Sequence, residues 1–337
     1  MLTSLQLGYK ASAEQFAPRE LLEFGIQAEE TGFDSVWVSD HFQPWRHNGG
    51  HAPHSFAWLG ALAARTEKIV MGTSVVTPTF RYHPSVVAQA MGTIGCLAPG
   101  RLILGVGTGE SLNEVAPTGV AWPPYKERFG RLKESIDLMR RLWREECVSY
   151  EGNYFRTEQA TIYDRPDQEI PIYIGAAGPS ASKLAGRLGD GLICTSGKSD
   201  DVYDEKILPN FAAGIAAAGR DADSLGRMIE IKVSYESDVE TAREATRYWA
   251  ALALKPEEKT GVEDPREMEK LADALPIERS ASRWLIATDP QTVADGLEPY
   301  VRRGFRHLVF HSPTADQSGF LARFSAEVLP ELRKRFG

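Results

Sequence analysis

The chain has 337 residues, of which 42% are hydrophobic and 25% are charged, and its formal net charge at pH 7 is −8. This composition is typical of a soluble globular protein with a large core and argues against disorder. The acidic balance argues against a nucleic-acid partner, because surfaces that bind nucleic acids usually carry basic groups. An anionic small substrate would therefore need its own local cationic pocket.

Neither a targeting signal nor the cysteine spacing indicates export. The early apolar stretch at residues 5–7 lacks the features of a signal peptide, and no segment has the roughly 20 apolar residues that span a bilayer. The cysteines are odd in number and far apart, which indicates neither a disulfide framework nor a zinc pair. We expect a cytoplasmic protein with no membrane partner, whose reduced core thiols are Cys96, Cys147 and Cys194.

Short apolar runs alternate with helical stretches along the chain and predict eight buried strands. The predicted strands span residues 5–10, 35–40, 69–75, 101–107, 170–176, 190–196, 228–235 and 307–313. Residues 18–31 have helical periodicity, with Pro18 in the first turn and Gly32 as the stop signal. Eight such units favour a parallel sheet closed into a (β/α)8 TIM barrel over an open doubly wound sheet.

Two segments interrupt this alternation. Residues 147–169 have strand character around Gly152, and residues 250–283 are charged and helix-like. We interpret both as insertions at the ends of barrel strands, where the loops of this fold build active sites. The predicted organisation is a single (β/α)8 barrel domain over residues 1–337.

Polar residues concentrate directly after the predicted strands, where a barrel would bring them to one mouth. About half of such residues are expected to act only in capping and turns. His41 follows Asp40 at one strand end and precedes Trp45, so it is a candidate general base, with a structural histidine as the equal alternative. No metal centre is expected, because no cysteine or carboxylate at ligand spacing accompanies His47, His51 and His54.

The glycine-rich run at residues 105–110 ends in Glu110. Its glycines follow a G-x-G-x-G spacing, and no acidic residue is convincingly placed about 20 residues further on. Both features disfavour an NAD site. The glycines could let the backbone pass a flat ligand with Glu110 as acid or base, or they could form only a tight turn. Residues 175–179 could present N–H groups to a phosphate, or could likewise form a turn.

Several long motifs resemble the actinobacterial F420-dependent glucose-6-phosphate dehydrogenases. They are YKASAEQFAPREL, SDHFQPWRH, GGHAP, GTSVVTPTFRYHP, GVGTGE, LNEVA, ICTSGK and DALPIE. The resemblance runs over essentially the whole chain. The family belongs to the luciferase-like flavin and deazaflavin superfamily, which implies a (β/α)8 barrel, the coenzyme F420 and a homodimer.

The resemblance also implies which residues hold the cofactor, with a cis peptide between Ser74 and Val75 behind the deazaflavin ring. Ala177 replaces a glycine of the family, a change that is tolerable if only its N–H is used. The implied cofactor-binding residues are Asp40, Ser74, Val75, Thr77, Thr108, Asn113, Ala177, Gly178, Ser180 and Ala181.

The implied substrate pocket supplies the cations that an acidic protein needs for a phosphosugar. By resemblance, Lys198, Lys259 and Arg283 bind the phosphate, with Thr195 closer to the sugar, although the spacing of these residues alone predicts nothing. Thr260 replaces a histidine of the family. An alternative is therefore a relaxed sugar preference that includes fructose 6-phosphate or mannose 6-phosphate.

The implied reaction is oxidation of glucose 6-phosphate at C1 to 6-phosphogluconolactone, with hydride transfer to C5 of F420. We expect His41 to act as the base, Glu110 to deliver or shuttle a proton at the cofactor, and Trp45 to pack against the sugar; the opposite division between His41 and Glu110 stays open. The cations disfavour an FMN-dependent luciferase-like monooxygenase. The presence of both His41 and Glu110 disfavours a non-catalytic binding protein.

Overall fold

The computed structural model describes residues 4–337. Its strands are β1 (Gln6–Ala11), β2 (Ser35–Val38), β3 (Val70–Thr73), β4 (Leu102–Val106), β5 (Val148–Glu151), β6 (Arg156–Ala160), β7 (Ile172–Gly175), β8 (Gly191–Thr195), β9 (Gly226–Tyr235), β10 (Leu285–Ala287) and β11 (His307–His311).

Helices follow most of these strands and surround them. They are α1 (Pro18–Glu30), α2 (Ser55–Arg65), α3 (Pro84–Leu97), α4 (Ser111–Thr118), α5 (Tyr125–Arg144), α6 (Pro179–Leu188), α7 (Leu208–Ala217), α8 (Val239–Ala245), α9 (Pro256–Lys259), α10 (Pro265–Asp273), α11 (Ile277–Ala281), α12 (Pro290–Arg302) and α13 (Gln317–Phe336). Shorter or distorted helical segments span Val202–Ile207, Ala222–Ser224 and Thr246–Ala253. None of the helices within residues 4–337 is long and apolar enough to cross a membrane.

Eight parallel strands close into a barrel. The order around the barrel is β1, β2, β3, β4, β7, β8, β9 and β11, and β11 pairs with β1 to complete the circle. Tyr9 on β1, for example, lies opposite Val36 on one side and Phe310 on the other. The predicted TIM barrel is confirmed, and all eight predicted strands are present within a few residues of their expected bounds.

Helix α1 illustrates how local sequence sets an element. Pro18 occupies its first turn, where a missing N–H costs nothing, and Gly32 follows its end with φ +89°. The helix buries Leu21, Phe24 and Ala28 on one face, against the sheet. The predicted start and stop signals of this helix are confirmed.

The inside of the barrel is filled at one end and open at the other. Trp37, Tyr173, Met228 and Val309 form a buried cluster with Ile193 inside the barrel. Trp37 is fully buried, and its indole N–H donates to Ser35 Oγ at 3.0 Å. This packing leaves the carboxyl ends of the strands as the place for a cavity.

The two segments that interrupt the alternation have structures of their own. Residues 147–169 contain the antiparallel hairpin of β5 and β6, whose turn is held because Glu134 accepts N–H groups of Asn153 and Tyr154. Residues 250–283 contain α9, α10 and α11. Strand β10 then adds to β9 outside the barrel circle.

The cysteine prediction was partly wrong. Cys194 is buried on β8, but Cys96 and Cys147 are exposed, and all three are free thiols. Cys96 lies on the side of α3 that faces away from the barrel, and Cys147 precedes the surface hairpin. The weakly polar side chain of a cysteine therefore did not predict a position in the core.

Candidate active site

A cavity of about 640 Å³ opens at the carboxyl ends of the barrel strands. Ser180 is exposed in the first turn of α6 and does not line it. All other predicted site residues line this cavity: Asp40, His41, Trp45, Ser74, Val75, Thr77, Thr108, Glu110, Asn113, Ala177, Gly178, Ala181, Thr195, Lys198, Lys259 and Arg283.

The imidazole of His41 is held by Glu14, a residue that the sequence analysis missed. Nδ1 of His41 lies 2.6 Å from Oε1 of Glu14. Burial raises the pKa of Glu14, but attraction to His41 and Lys10 and the hydrogen bonds of its carboxylate together outweigh burial and lower that pKa to about 2. Burial lowers the pKa of His41, but Glu14 and Glu110 outweigh it, so that pKa is raised.

Glu110 joins the other two predicted catalytic residues. Its Oε2 accepts hydrogen bonds from the indole N–H of Trp45 at 3.2 Å and from the side-chain amide of Asn113 at 3.3 Å. The rings of His41 and Trp45 lie 5.1 Å apart. Asn113 also accepts the N–H of Phe42 at 2.8 Å, so α4 fixes the loop that carries His41 and Trp45.

The glycine-rich run after β4 is explained mainly by packing within the chain. A Cβ at Gly105 would collide with the carbonyl oxygen of Thr73, and a Cβ at Gly107 would lie 2.7 Å from Val75. These glycines therefore let β4 approach the end of β3. The peptide between Ser74 and Val75 is cis, as expected, and Val75 lines the cavity.

The carboxylate of Asp40 is buried and held in place by protein donors. Its Oδ1 accepts hydrogen bonds from Ser55 at 2.6 Å and Tyr82 at 3.2 Å, and its Oδ2 pairs with Arg81 at 2.7 Å. Arg81 also pairs with the buried Glu114 at 3.3 Å. This network makes the wall around Asp40 rigid.

The remaining cavity wall fits a flat ligand with an anionic tail. Val75 packs between glycines, since a Cβ at Gly175 would lie 3.3 Å from it. Gly178 caps the N-terminus of α6, and the next N–H groups, at Ser180 and Ala181, belong to a first turn that lacks intrahelical acceptors. A planar ring against Val75 and a phosphate near this helix end match the groups present.

Three cations that are far apart in sequence converge on the same cavity. Lys198 follows β8, Lys259 ends α9, and Arg283 follows α11. Arg283 donates to the carbonyl oxygen of Gly197 at 2.6 Å, which ties it to the loop that carries Lys198. Burial lowers the pKa of Lys198, and the charge of Arg283 lowers it further. The hydroxyl of Thr260 donates to the carbonyl oxygen of Pro256 at 2.7 Å.

A second group of buried charges was also missed. Lys10, Glu230, Lys232 and His311 line the cavity on strands β1, β9 and β11. Lys10 donates to the hydroxyl and carbonyl oxygens of Ser74 at 2.7 Å and 3.2 Å. The period-two alternation of a strand places Glu230 and Lys232 on one face, and that signal was present in the sequence.

Comparisons with known proteins identify the family of this chain. The family model for luciferase-like monooxygenases matches residues 1–307. Proteins named F420-dependent glucose-6-phosphate dehydrogenase from Nakamurella multipartita and Beutenbergia cavernae are 58% and 60% identical over 333 and 331 residues, which covers 99% and 98% of this chain and 98% of each relative.

A solved structure extends the comparison to coordinates. An F420-dependent secondary alcohol dehydrogenase in complex with an F420-acetone adduct has a TM-score of 0.91 and 34% identity, covering 96% of this chain and 98% of that chain. The chain therefore belongs to the luciferase-like monooxygenase family and, within it, to the family of F420-dependent glucose-6-phosphate dehydrogenases.

Proposed function

We propose that this chain oxidises glucose 6-phosphate at C1 to 6-phosphogluconolactone and passes the hydride to coenzyme F420. The observation that carries the proposal is that a single cavity contains both a His41–Glu14 pair with Glu110 and the three cations Lys198, Lys259 and Arg283. The relatives are named for this substrate and cofactor, which supports the assignment.

His41 acts as the base in this proposal. Nε2 takes the proton of the C1 hydroxyl, while Nδ1 stays on the carboxylate of Glu14, which stabilises the imidazolium that forms. Bound coenzyme F420 supplies C5 of its deazaflavin ring as the hydride acceptor. A buried carboxylate that remains ionised is suited to this task because the charge on His41 changes beside it.

Glu110 delivers or shuttles a proton on the opposite side of the reaction. Trp45 orients its carboxylate by a hydrogen bond and packs against the sugar, where its ring stabilises developing positive charge. The reverse assignment, with Glu110 as the base, is distinguished by the pH profiles of variants at the two positions.

The cofactor is held by two parts of the cavity wall. Val75 and the Ser74 peptide would hold the ring, and the N-terminus of α6 would hold the phosphate-bearing tail. The proposed cofactor-binding residues are Asp40, Ser74, Val75, Thr77, Thr108, Asn113, Ala177, Gly178, Ser180 and Ala181.

The sugar phosphate occupies the cationic part of the cavity. Lys198, Lys259 and Arg283 bind the phosphate, and Thr195 lies closer to the sugar. Arginine can hold two phosphate oxygens at once, whereas the lysines act as point charges. Thr260 offers no imidazole, so fructose 6-phosphate and mannose 6-phosphate belong in the substrate panel.

We further propose that the protein works in the cytoplasm as a homodimer of single-domain chains spanning residues 1–337. The family resemblance supports the dimer, and the net charge of −8 is consistent with a small-molecule partner rather than a nucleic acid. Sedimentation of the purified protein tests the oligomeric state.

The cofactor assignment is tested by supplying oxidised F420, FMN with a reductant and oxygen, or NAD⁺, each with glucose 6-phosphate. We expect turnover with F420 alone. Oxygen consumption with FMN would favour a monooxygenase, nicotinamide reduction would favour an NAD enzyme, and cofactor or sugar-phosphate binding without any turnover would favour a carrier.

A further inference from the structure

Lys232 stands on the inner wall of the barrel, among the cations assigned to phosphate. It lies on β9 two residues after Glu230, and both side chains line the cavity. The side chain of Lys232 is only 4% exposed. Its backbone N–H donates to Ser196 Oγ at 2.9 Å, which fixes the strand beside the loop that leads to Lys198.

The ammonium of Lys232 lacks a close acceptor. Its Nζ lies 3.8 Å from Oε1 of Glu230, which is beyond hydrogen-bond distance, and it makes no hydrogen bond to any residue within 4–337. Lys10 also lies 3.8 Å from this carboxylate, and His311 lies 3.7 Å from it, so one anion serves several partners. Lys10 differs because it has its two bonds to Ser74.

The surroundings of Lys232 carry excess positive charge. Burial lowers its pKa to about 8; Glu230 opposes this shift, and Arg283, Lys198 and Lys10 reinforce it. A buried ammonium without an acceptor is costly, and neighbouring cations add to that cost. A dianion in the cavity would satisfy the ammonium and relieve the repulsion among the cations.

We infer that Lys232 is a fourth phosphate-binding residue, which holds the phosphate monoester of the substrate from the inner wall of the barrel. This inference rests on the proposed function of the cavity. A purely structural ion pair with Glu230 is the alternative, and it would place the nitrogen within hydrogen-bond distance of that carboxylate rather than 3.8 Å from it.

The first test compares substrates with and without the phosphate. For Lys232→Met we expect kcat/KM for glucose 6-phosphate to fall on the order of 100-fold, mainly through KM, because a buried charge contact is lost. The slow reaction with unphosphorylated glucose should not change. Lys232→Arg should recover much of the activity, and Lys334→Met, an exposed substitution on α13, should change neither substrate.

Two outcomes overturn the inference. If Lys232→Met lowers kcat/KM equally for glucose and glucose 6-phosphate, Lys232 supports the barrel or the sugar. If the variant keeps the wild-type kcat/KM for both substrates, Lys232 has no part in phosphate binding. If the wild-type protein itself fails to reduce F420 with glucose 6-phosphate, the proposed function fails instead. Thermal unfolding of each variant identifies any that do not fold.

A second test needs no variant that removes the charge. Between pH 7 and pH 9.5 the phosphate monoester stays dianionic, because its second pKa is about 6. Loss of the proton on Lys232 should raise KM for glucose 6-phosphate as the pH passes about 8. Lys198 also faces this region with a lowered pKa, and Glu230, His311, Lys10 and Arg283 are the other charged groups around Lys232.

Lys232→Arg separates the contributions of Lys232 and Lys198, because arginine keeps its charge throughout this range. A flatter KM profile in that variant supports the inference. A profile that matches the wild-type profile would assign the pH dependence to Lys198 and overturn it.

Discussion

Nδ1 of His41 lies 2.6 Å from Oε1 of Glu14, and the half-buried imidazole and the buried carboxylate come from the loops after two neighbouring barrel strands. The pair fixes the orientation of the imidazole and determines when it is protonated. Because Glu14 and Glu110 together outweigh the burial that lowers the pKa of His41, the charged imidazole persists to a pH above its usual range.

The pH profile of a Glu14→Gln variant tests this relationship. A base must be neutral to accept a proton, so wild-type kcat/KM should rise with pH through the raised pKa of His41. Glutamine removes the charge, burial then dominates, and the acidic limb should move to lower pH. At neutral pH we also expect kcat to fall at least about tenfold, because the imidazolium loses its counter-charge. If the acidic limb of the pH profile stays in place in Glu14→Gln, that limb reports the titration of a group other than His41.

Replacing Trp45 tests the bond that orients Glu110. In Trp45→Phe the carboxylate loses the indole N–H at 3.2 Å, and we expect kcat to fall about tenfold with a smaller change in KM. Trp143→Phe is the matched control, because it removes an indole N–H that donates to Ala88 at 2.9 Å away from the cavity. The control should lose about 1 kcal/mol of stability and keep its kcat.

A buried carboxylate fastens helix α10 to the loop that carries Trp45. Glu269 accepts the N–H groups of His47 at 3.2 Å and Asn48 at 3.1 Å and pairs with Arg46 at 3.1 Å. Glu269→Ala should lower the free energy of unfolding by about 1–3 kcal/mol, because these donors lose their acceptor. Glu267→Ala, on the exposed side of the same helix, should have no effect in urea unfolding.

The ion pair between Arg81 and Asp40 should matter far more than a surface pair. Arg81→Met leaves the buried carboxylate of Asp40 without its cation, and we expect a loss of about 3–5 kcal/mol in urea unfolding. Arg65→Met breaks an exposed pair with Glu23 at 3.9 Å and should change stability by less than about 1 kcal/mol. Similar losses in both variants would contradict this account of the wall around Asp40.

The sequence predicted the barrel well, because eight apolar runs that alternate with helical stretches favour a closed parallel sheet. The sequence also predicted that His41, Trp45 and Glu110 meet at one cavity, because each lies at or shortly after the carboxyl end of a strand. The cations Lys198 and Arg283 were assigned only by resemblance, because residues so far apart have no spacing that predicts contact.

Glu14 is a site residue that the sequence could not predict, whereas Lys232 is one that it could have predicted. Glu14 is one of 46 acidic residues, and its pairing with His41 depends on two loops meeting in space. Lys232 lies in a predicted strand, where alternation puts it on the same face as Glu230. A pair of charges facing the inside of a barrel was therefore available as a signal of a binding site.

The most direct test of the central claim is the loss of the visible absorbance of oxidised F420 when purified protein is mixed anaerobically with glucose 6-phosphate, and in parallel with fructose 6-phosphate and mannose 6-phosphate. The account predicts rapid bleaching with glucose 6-phosphate and formation of one equivalent of 6-phosphogluconolactone. Bleaching that is orders of magnitude faster with glucose 6-phosphate would end the relaxed-preference alternative. No bleaching with any of the three sugars would contradict the proposed dehydrogenase.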